Sequence, residues 1–212
     1  MDQYTEPHFD RSALLTIDMQ NDFSLDNAPA RIDGTTQVIQ NIVQLLNAYR
    51  NHRLPIIHVV RLYFRDGSNV DLCRRQRIES GEAIVAPGSD GAELVSALKP
   101  APDIQLNAGM LLSGERQSIG SNEYVMYKPR WGAFYGTTLE AWLHEMAIDT
   151  LVVTGCNYPN CPRTSIYEAS ERDFRVVVAP DAVSQLSPKD EEELCNTGTQ
   201  VIPAAEIVEQ LS

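Results

Sequence analysis

Basic charge is scarce in this chain. Its 212 residues carry 17 Lys and Arg against 29 Asp and Glu, a formal net charge of −12. Such a field repels phosphate backbones and anionic lipid, which argues against nucleic-acid binding and membrane-surface attachment. No apolar run approaches the ~18 residues that a membrane span needs. The opening Met1-Asp2-Gln3-Tyr4-Thr5-Glu6 lacks the basic and apolar regions of a secretory signal. Cysteine is sparse and scattered, at Cys73, Cys156, Cys161 and Cys195, with no CxxC pair, and His8, His52, His58 and His144 stand apart from one another. A disulfide-stapled miniprotein and a metal finger are thereby excluded, and free thiols in a reducing, cytoplasmic compartment are expected. Neither the Walker A glycine pattern nor the dinucleotide fingerprint occurs.

What is present is an ordinary globular composition, with 43% hydrophobic and 22% charged residues, long enough to bury a sizeable core as one domain spanning 1–212. Short apolar runs of the buried-strand type at 12–17, 54–60, 124–127, 149–154, 175–179 and 200–202 alternate with segments of helical spacing. The helical segments are 38–49, 92–98, 138–146, 162–173, 188–196 and 204–211, and 61–91 reads as an excursion of long loops. The strands are apolar on both faces, as parallel strands covered on both sides must be. The pattern predicts a doubly wound α/β fold, with a mostly parallel sheet of about six strands and helices on both faces.

In open α/β sheets ligands bind beyond the carboxyl ends of the strands. Three predicted strands end there on reactive chemistry: Asp18 after the first, Lys128 after 124–127, and the loop from Gly155 to Cys161 after 149–154. Pro162 favours the first turn of a helix, which would set Cys161 at an N-cap where the helix dipole favours a thiolate. A nearby ammonium would lower the thiol pKa further, and Asp18 would carry the proton. Taken singly, a buried cysteine is most often an inert apolar residue, a strand-end aspartate a turn residue and a lysine a solvated one. It is their convergence that points to nucleophilic catalysis.

The blocks Leu15-Thr16-Ile17-Asp18-Met19-Gln20-Asn21-Asp22-Phe23, Lys128-Pro129-Arg130-Trp131-Gly132-Ala133-Phe134 with Thr138-Leu139, and Val152-Val153-Thr154-Gly155 followed by Cys161 and Asp181-Ala182-Val183-Ser184 occur in this order. In them the chain resembles the isochorismatase-like cysteine hydrolases, in their metal-independent amidohydrolase branch. The resemblance implies a triad of Asp18 as general base, Lys128 as its electrostatic aid and Cys161 as nucleophile. It also implies a cis peptide at Cys156-Asn157, an oxyanion hole from the N–H groups of Asn157 and Cys161, no cofactor, and a homodimer or homotetramer. The loop Gly155-Cys156-Asn157-Tyr158-Pro159-Asn160-Cys161-Pro162 departs from the family pattern, with Tyr158 in place of a small hydroxyl residue and two prolines. Nicotinamidases of the same family bind a metal through an aspartate and clustered histidines after the second strand. Only His58 stands there, so no metal site is expected.

Gln20, Phe23, Trp131, Phe134, Tyr135 and Tyr158 surround the expected centre, either as the wall of a small-molecule pocket or as packing for loops and a subunit interface. Arg61 either holds a substrate carboxylate or carbonyl, or forms a structural ion pair. The stretch Asp71-Leu72-Cys73-Arg74-Arg75-Gln76-Arg77 concentrates basic charge, for an anionic substrate or as a solvated or intersubunit loop. The leading expectation is a cysteine hydrolase that cleaves the C–N bond of a small amide, ureide or carbamoyl compound. The alternatives are a catalytically silent binding or scaffold protein and, among enzymes, a thiol-redox role for Cys156 and Cys161.

Overall fold

The computed structural model describes residues 2–211. Its elements, in chain order, are β1 (Ser12–Ile17), α1 (Asn21–Ser24), α2 (Thr35–His52), β2 (Ile56–Val60), α3 (Leu72–Glu79), α4 (Ala108–Leu112), β3 (Gln117–Gly120), β4 (Glu123–Tyr127), α5 (Leu139–Glu145), β5 (Thr150–Gly155), α6 (Cys161–Ser170), β6 (Arg175–Val183), α7 (Pro188–Cys195), β7 (Gln200–Val201) and α8 (Ala204–Leu211). Seven strands form one sheet in the order β3-β4-β2-β1-β5-β6-β7. Every pairing is parallel except β3 with β4, which is antiparallel at the edge.

Alternation along each strand sends side chains into two separate cores. On one face Leu14, Ile56, Val60, Val125, Val152 and Val177 pack against Val38, Ile42, Leu45, Leu46 and Tyr49 of α2 and Ile207 of α8. On the other, Leu15, Ile17, Ile57, Val59, Leu151, Val153, Val176 and Val178 meet Leu139, Trp142 and Leu143 of α5 and Ile166 and Ala169 of α6. Both faces being covered explains why β1, β2 and β5 are buried at every position and read as unbroken apolar runs. Among the described residues no helix is long and apolar enough to cross a membrane.

The sheet has seven strands where about six were expected. The addition is β3, whose sequence Gln117-Ser118-Ile119-Gly120 has no apolar run because it lies on the antiparallel edge. The stretch 61–91 is not all loop. It contains α3, whose one buried residue, Ile78, leaves too little apolar stripe to show a period. Two short 3-10 turns, Asp90–Ala92 and Ser96–Leu98, occupy the region read as a helix over 92–98.

Candidate active site

Four neighbouring strands in the order β4-β2-β1-β5 end side by side. Lys128 follows β4, Arg61 follows β2, Asp18 follows β1, and Gly155 closes β5. The backbone fixes this rim, with Asp18 N–H donating to Val59 O (2.9 Å), Lys128 N–H to Val60 O (3.0 Å) and Cys156 N–H to Ile17 O (2.9 Å). Gly155 is required at its place. Its φ is +115°, and a Cβ would sit 2.2 Å from Ile17 O. Asp18 adopts φ +53°, a left-handed conformation tolerated by aspartate better than by most residues.

Asp18, Lys128 and Cys161 are all buried, with 4%, 0% and 2% of their surface exposed. Lys128 Nζ donates to Asp18 Oδ2 at 2.9 Å and to Arg130 O at 3.3 Å. Asp18 Oδ1 is buried and, among the described residues, accepts no hydrogen bond. Burial and the Asp18 charge push the Cys161 thiol up to about 11, against the opposing pull of Lys128 and Arg74. This corrects two expectations. Cys161 is the first residue of α6, with Asn160 at the N-cap, and burial beside the Asp18 carboxylate raises its thiol pKa instead of lowering it, despite the Lys128 ammonium.

The Cys156-Asn157 peptide is cis. Among the described residues neither the Asn157 nor the Cys161 N–H donates to a protein acceptor. Cys156 is fully buried, and its thiol donates to Asp18 O at 3.1 Å. Burial, first among several causes, raises its pKa well above the ordinary value. The two cysteines of this loop therefore differ: Cys156 braces the Asp18 backbone, and Cys161 faces the Asp18–Lys128 pair.

The isochorismatase domain model matches residues 12–106 and 115–206. The chain belongs to the isochorismatase family. A relative from Arabidopsis thaliana, named "Probable inactive nicotinamidase", is 31% identical over 180 residues, 84% of this chain and 83% of its own. A "Ureidoacrylate amidohydrolase RutB" from Methylobacterium radiotolerans is 27% identical over 199 residues, 83% of this chain and 68% of its own. The crystal structure of an isochorismatase family protein from Desulfovibrio vulgaris superposes with a TM-score of 0.81 at 33% identity, covering 95% of this chain and 98% of that one.

Within this isochorismatase fold the remaining expected residues are distributed unevenly. Gln20 is fully buried, and both ends of its carboxamide engage backbone: Nε2 donates to Arg61 O (2.8 Å) and Ala92 O (2.7 Å), and Oε1 accepts from Arg61 N–H (2.8 Å). Phe23 packs in the α2-side core, while Phe134 packs against Phe174 in the other, the ring centroids 5.8 Å apart and the planes tilted by 34°. Tyr158 is buried with its hydroxyl unpaired among the described residues. Trp131 and Tyr135 line a cleft of about 550 Å³ together with Asp71, Leu72, Cys73 and Glu168. None of the Asp18, Lys128 and Cys161 side chains lines this cleft. His58 spends both ring nitrogens, one on Thr16 Oγ1 (2.7 Å) and one on Glu123 Oε1 (2.9 Å). No group of three or more His, Cys, Asp or Glu among the described residues could hold a metal ion, so the residues present do not fit the metal of the nicotinamidases.

Sequence reasoning missed how Asp71, Tyr63 and Arg74 organise the rim. Asp71 Oδ2 accepts from Arg61 Nη2 (2.6 Å) and from the Tyr63 hydroxyl (3.2 Å), while Arg74 Nη1 donates to that hydroxyl (3.0 Å). The basic stretch was the available signal, and its placement on α3 turns Arg74 toward the site.

Proposed function

We propose that this protein hydrolyses the C–N bond of a small amide, ureide or carbamoyl compound through a thioester on Cys161. The observation that carries the reading is the buried Asp18–Lys128 pair beside a thiol at adjoining strand ends. Two further observations support it: a relative named for ureidoacrylate amidohydrolysis, and the Asn157 and Cys161 N–H groups, which donate to no protein acceptor among the described residues.

The thiol sulfur attacks the carbonyl carbon while its proton passes to Asp18, so a high resting pKa is compatible with attack. The developing oxyanion is received by the N–H groups of Asn157 and Cys161, donors of a kind worth about 10²–10³ each in rate. Asp18 returns the proton to the nitrogen as the C–N bond breaks, releasing the amine and leaving the thioester. Water, deprotonated by Asp18, then cleaves the thioester and restores the thiol. Lys128 holds the carboxylate in place and balances its charge throughout. The protein is further read as cytoplasmic and as a homodimer or homotetramer; Leu72 (83% exposed) and Tyr135 (60% exposed), apolar side chains at the cleft, support the assembly. Light scattering tests the assembly.

The silent-scaffold reading has one observation in its favour, the Arabidopsis relative named inactive. An ammonia-release screen over amides, ureides and carbamoyl amino acids, with mass-spectrometric trapping of an adduct on Cys161, separates the two. Turnover with an acyl adduct on Cys161 supports the hydrolase, and neither turnover nor adduct across the panel supports the scaffold.

A further inference from the structure

Helix α6 begins at Cys161, and the residues four and seven positions further on share its face. Those positions carry Ser165 and Glu168. Ser165 is 1% exposed, and its hydroxyl works in two directions: it donates to Cys161 O at 2.8 Å and accepts from Ala133 N–H at 3.1 Å. One turn on, Glu168 Oε2 accepts from Phe134 N–H at 3.0 Å. The neighbouring backbone presses against this carboxylate, since a Cβ at Gly132 would overlap Glu168 Oε2. Glycine permits that approach.

The segment so held is the loop that follows Lys128. Its Arg130 O accepts from Lys128 Nζ at 3.3 Å, and the same Nζ donates to Asp18 Oδ2 at 2.9 Å. A path of polar contacts therefore runs from the Cys161 carbonyl through Ser165 into the 130–134 loop, and from that loop through Lys128 to Asp18. A serine inside a helix often bonds the carbonyl four residues back. Here that bond commits the hydroxyl proton to Cys161 O and leaves the oxygen to accept from Ala133. Ala133 is fully buried, and its N–H has no other acceptor among the described residues.

We propose that Ser165 and Glu168 are positioning residues for the Asp18–Lys128–Cys161 centre, tying the helix that carries the thiol to the loop that holds the ammonium. The inference rests on the hydrolase reading and adds to it the device that sets Lys128 against Cys161. Lys128 pulls the Cys161 thiol pKa down, against burial and the Asp18 charge. Coulombic attraction falls with separation, so slackening the tie weakens that pull. The Ser165 hydroxyl bonds neither the sulfur nor the ammonium, so its effect on the thiol passes through Lys128.

Iodoacetamide labelling of Cys161 tests this without any known substrate. At about pH 9, below the thiol midpoint of about 11, the rate follows the small thiolate fraction. Fragmentation mass spectrometry reads Cys161 apart from Cys156 and from the exposed Cys73 and Cys195. Ser165→Ala is expected to slow labelling at least about threefold, and Ser165→Thr, which keeps the hydroxyl, to stay within about twofold of wild type. The deciding comparison is a cycle with Lys128→Ala: in that background Ser165→Ala should change the rate by less than about twofold, because the charge it positions is gone. Glu168→Ala, at a half-buried site, carries the same cycle where Ser165→Ala does not fold, with Glu168→Gln as its conservative counterpart. A Ser165→Ala rate within about twofold of wild type or above it, or equal slowing with and without Lys128, overturns the proposal. Slowing that vanishes without Lys128, in a protein that turns over nothing in the amide screen, keeps the tie and sinks the hydrolase reading.

Discussion

Replacing Asp18 by Asn should move two properties of the same site in opposite directions. In the proposed mechanism the carboxylate carries the proton of hydrolysis, and its charge also raises the Cys161 thiol. At a pKa of about 11, roughly one thiol in 10⁴ is ionised at pH 7. Burial, the largest cause, is left in place by the isosteric amide, but the like charge disappears and Lys128 loses its 2.9 Å partner. A nearby charge commonly shifts a pKa by about 1–3 units, so Asp18→Asn should lower the alkylation midpoint by that amount. Reaction with iodoacetamide at pH 7 then speeds up about ten- to a thousandfold. Hydrolysis should fall by about 10²–10⁴, the usual worth of a positioned acid–base group. Lys128→Ala reverses the first sign, because Lys128 pulls the thiol pKa down, and its Cys161 should alkylate more slowly than wild type. The assay is the rate of iodoacetamide labelling at Cys161 between pH 6 and 11, read by mass spectrometry beside ammonia release. An Asp18→Asn midpoint that stays near 11 or rises would refute the electrostatic argument.

Cys161→Ser should abolish turnover, while Cys156→Ser keeps most of it, since a hydroxyl can still donate to Asp18 O as the thiol does. Equal losses in an ammonia-release assay would mean that Cys156 does more than brace the backbone. Glu123 accepts from Arg50 at 2.7 and 2.9 Å and meets His58 at 2.9 Å while 1% exposed, so Glu123→Gln should destabilise by about 3 kcal/mol at pH 7 in denaturant unfolding. Although burial works the other way, these partners hold its carboxyl below the ordinary 4.5. Its stabilisation is thus complete above about pH 4.5, and the curves of the two proteins should converge as acid titrates the folded group. Dialysis against a strong chelator should leave ammonia release unchanged, because His58 has no free ring nitrogen to offer. Activity lost to the chelator and restored by zinc or iron would contradict that.

The buried strands were legible because burial on both faces writes unbroken apolar runs, and β1, β2, β4 and β5 together bring Asp18, Arg61, Lys128 and Gly155 to one edge. Strand β3 was not legible, since an edge strand of Gln, Ser, Ile and Gly carries no such signature. Helix α3 escaped for a related reason. Its mean composition is strongly polar and only Ile78 turns inward, so Arg74 could be counted as charge but not aimed. The state of Cys161 was misjudged because sequence shows the helix start and the lysine but not how deeply the sulfur is buried. Gln20 illustrates the same limit: its place near Asp18 could be read, and its three backbone partners could not.

The four strand ends that meet at the rim come from positions 18, 61, 128 and 155, so no fragment shorter than most of the chain contains the site. Their pairings are all parallel and close long loops in the chain, the kind of contact that forms slowly. In refolding, helical signal from local segments such as α2 should therefore return before any turnover does, and enzymatic activity would time the last strands into the sheet. By the same logic partial openings that leave most of the helices intact, invisible to far-ultraviolet dichroism, would still silence the enzyme if they part β4 from β2.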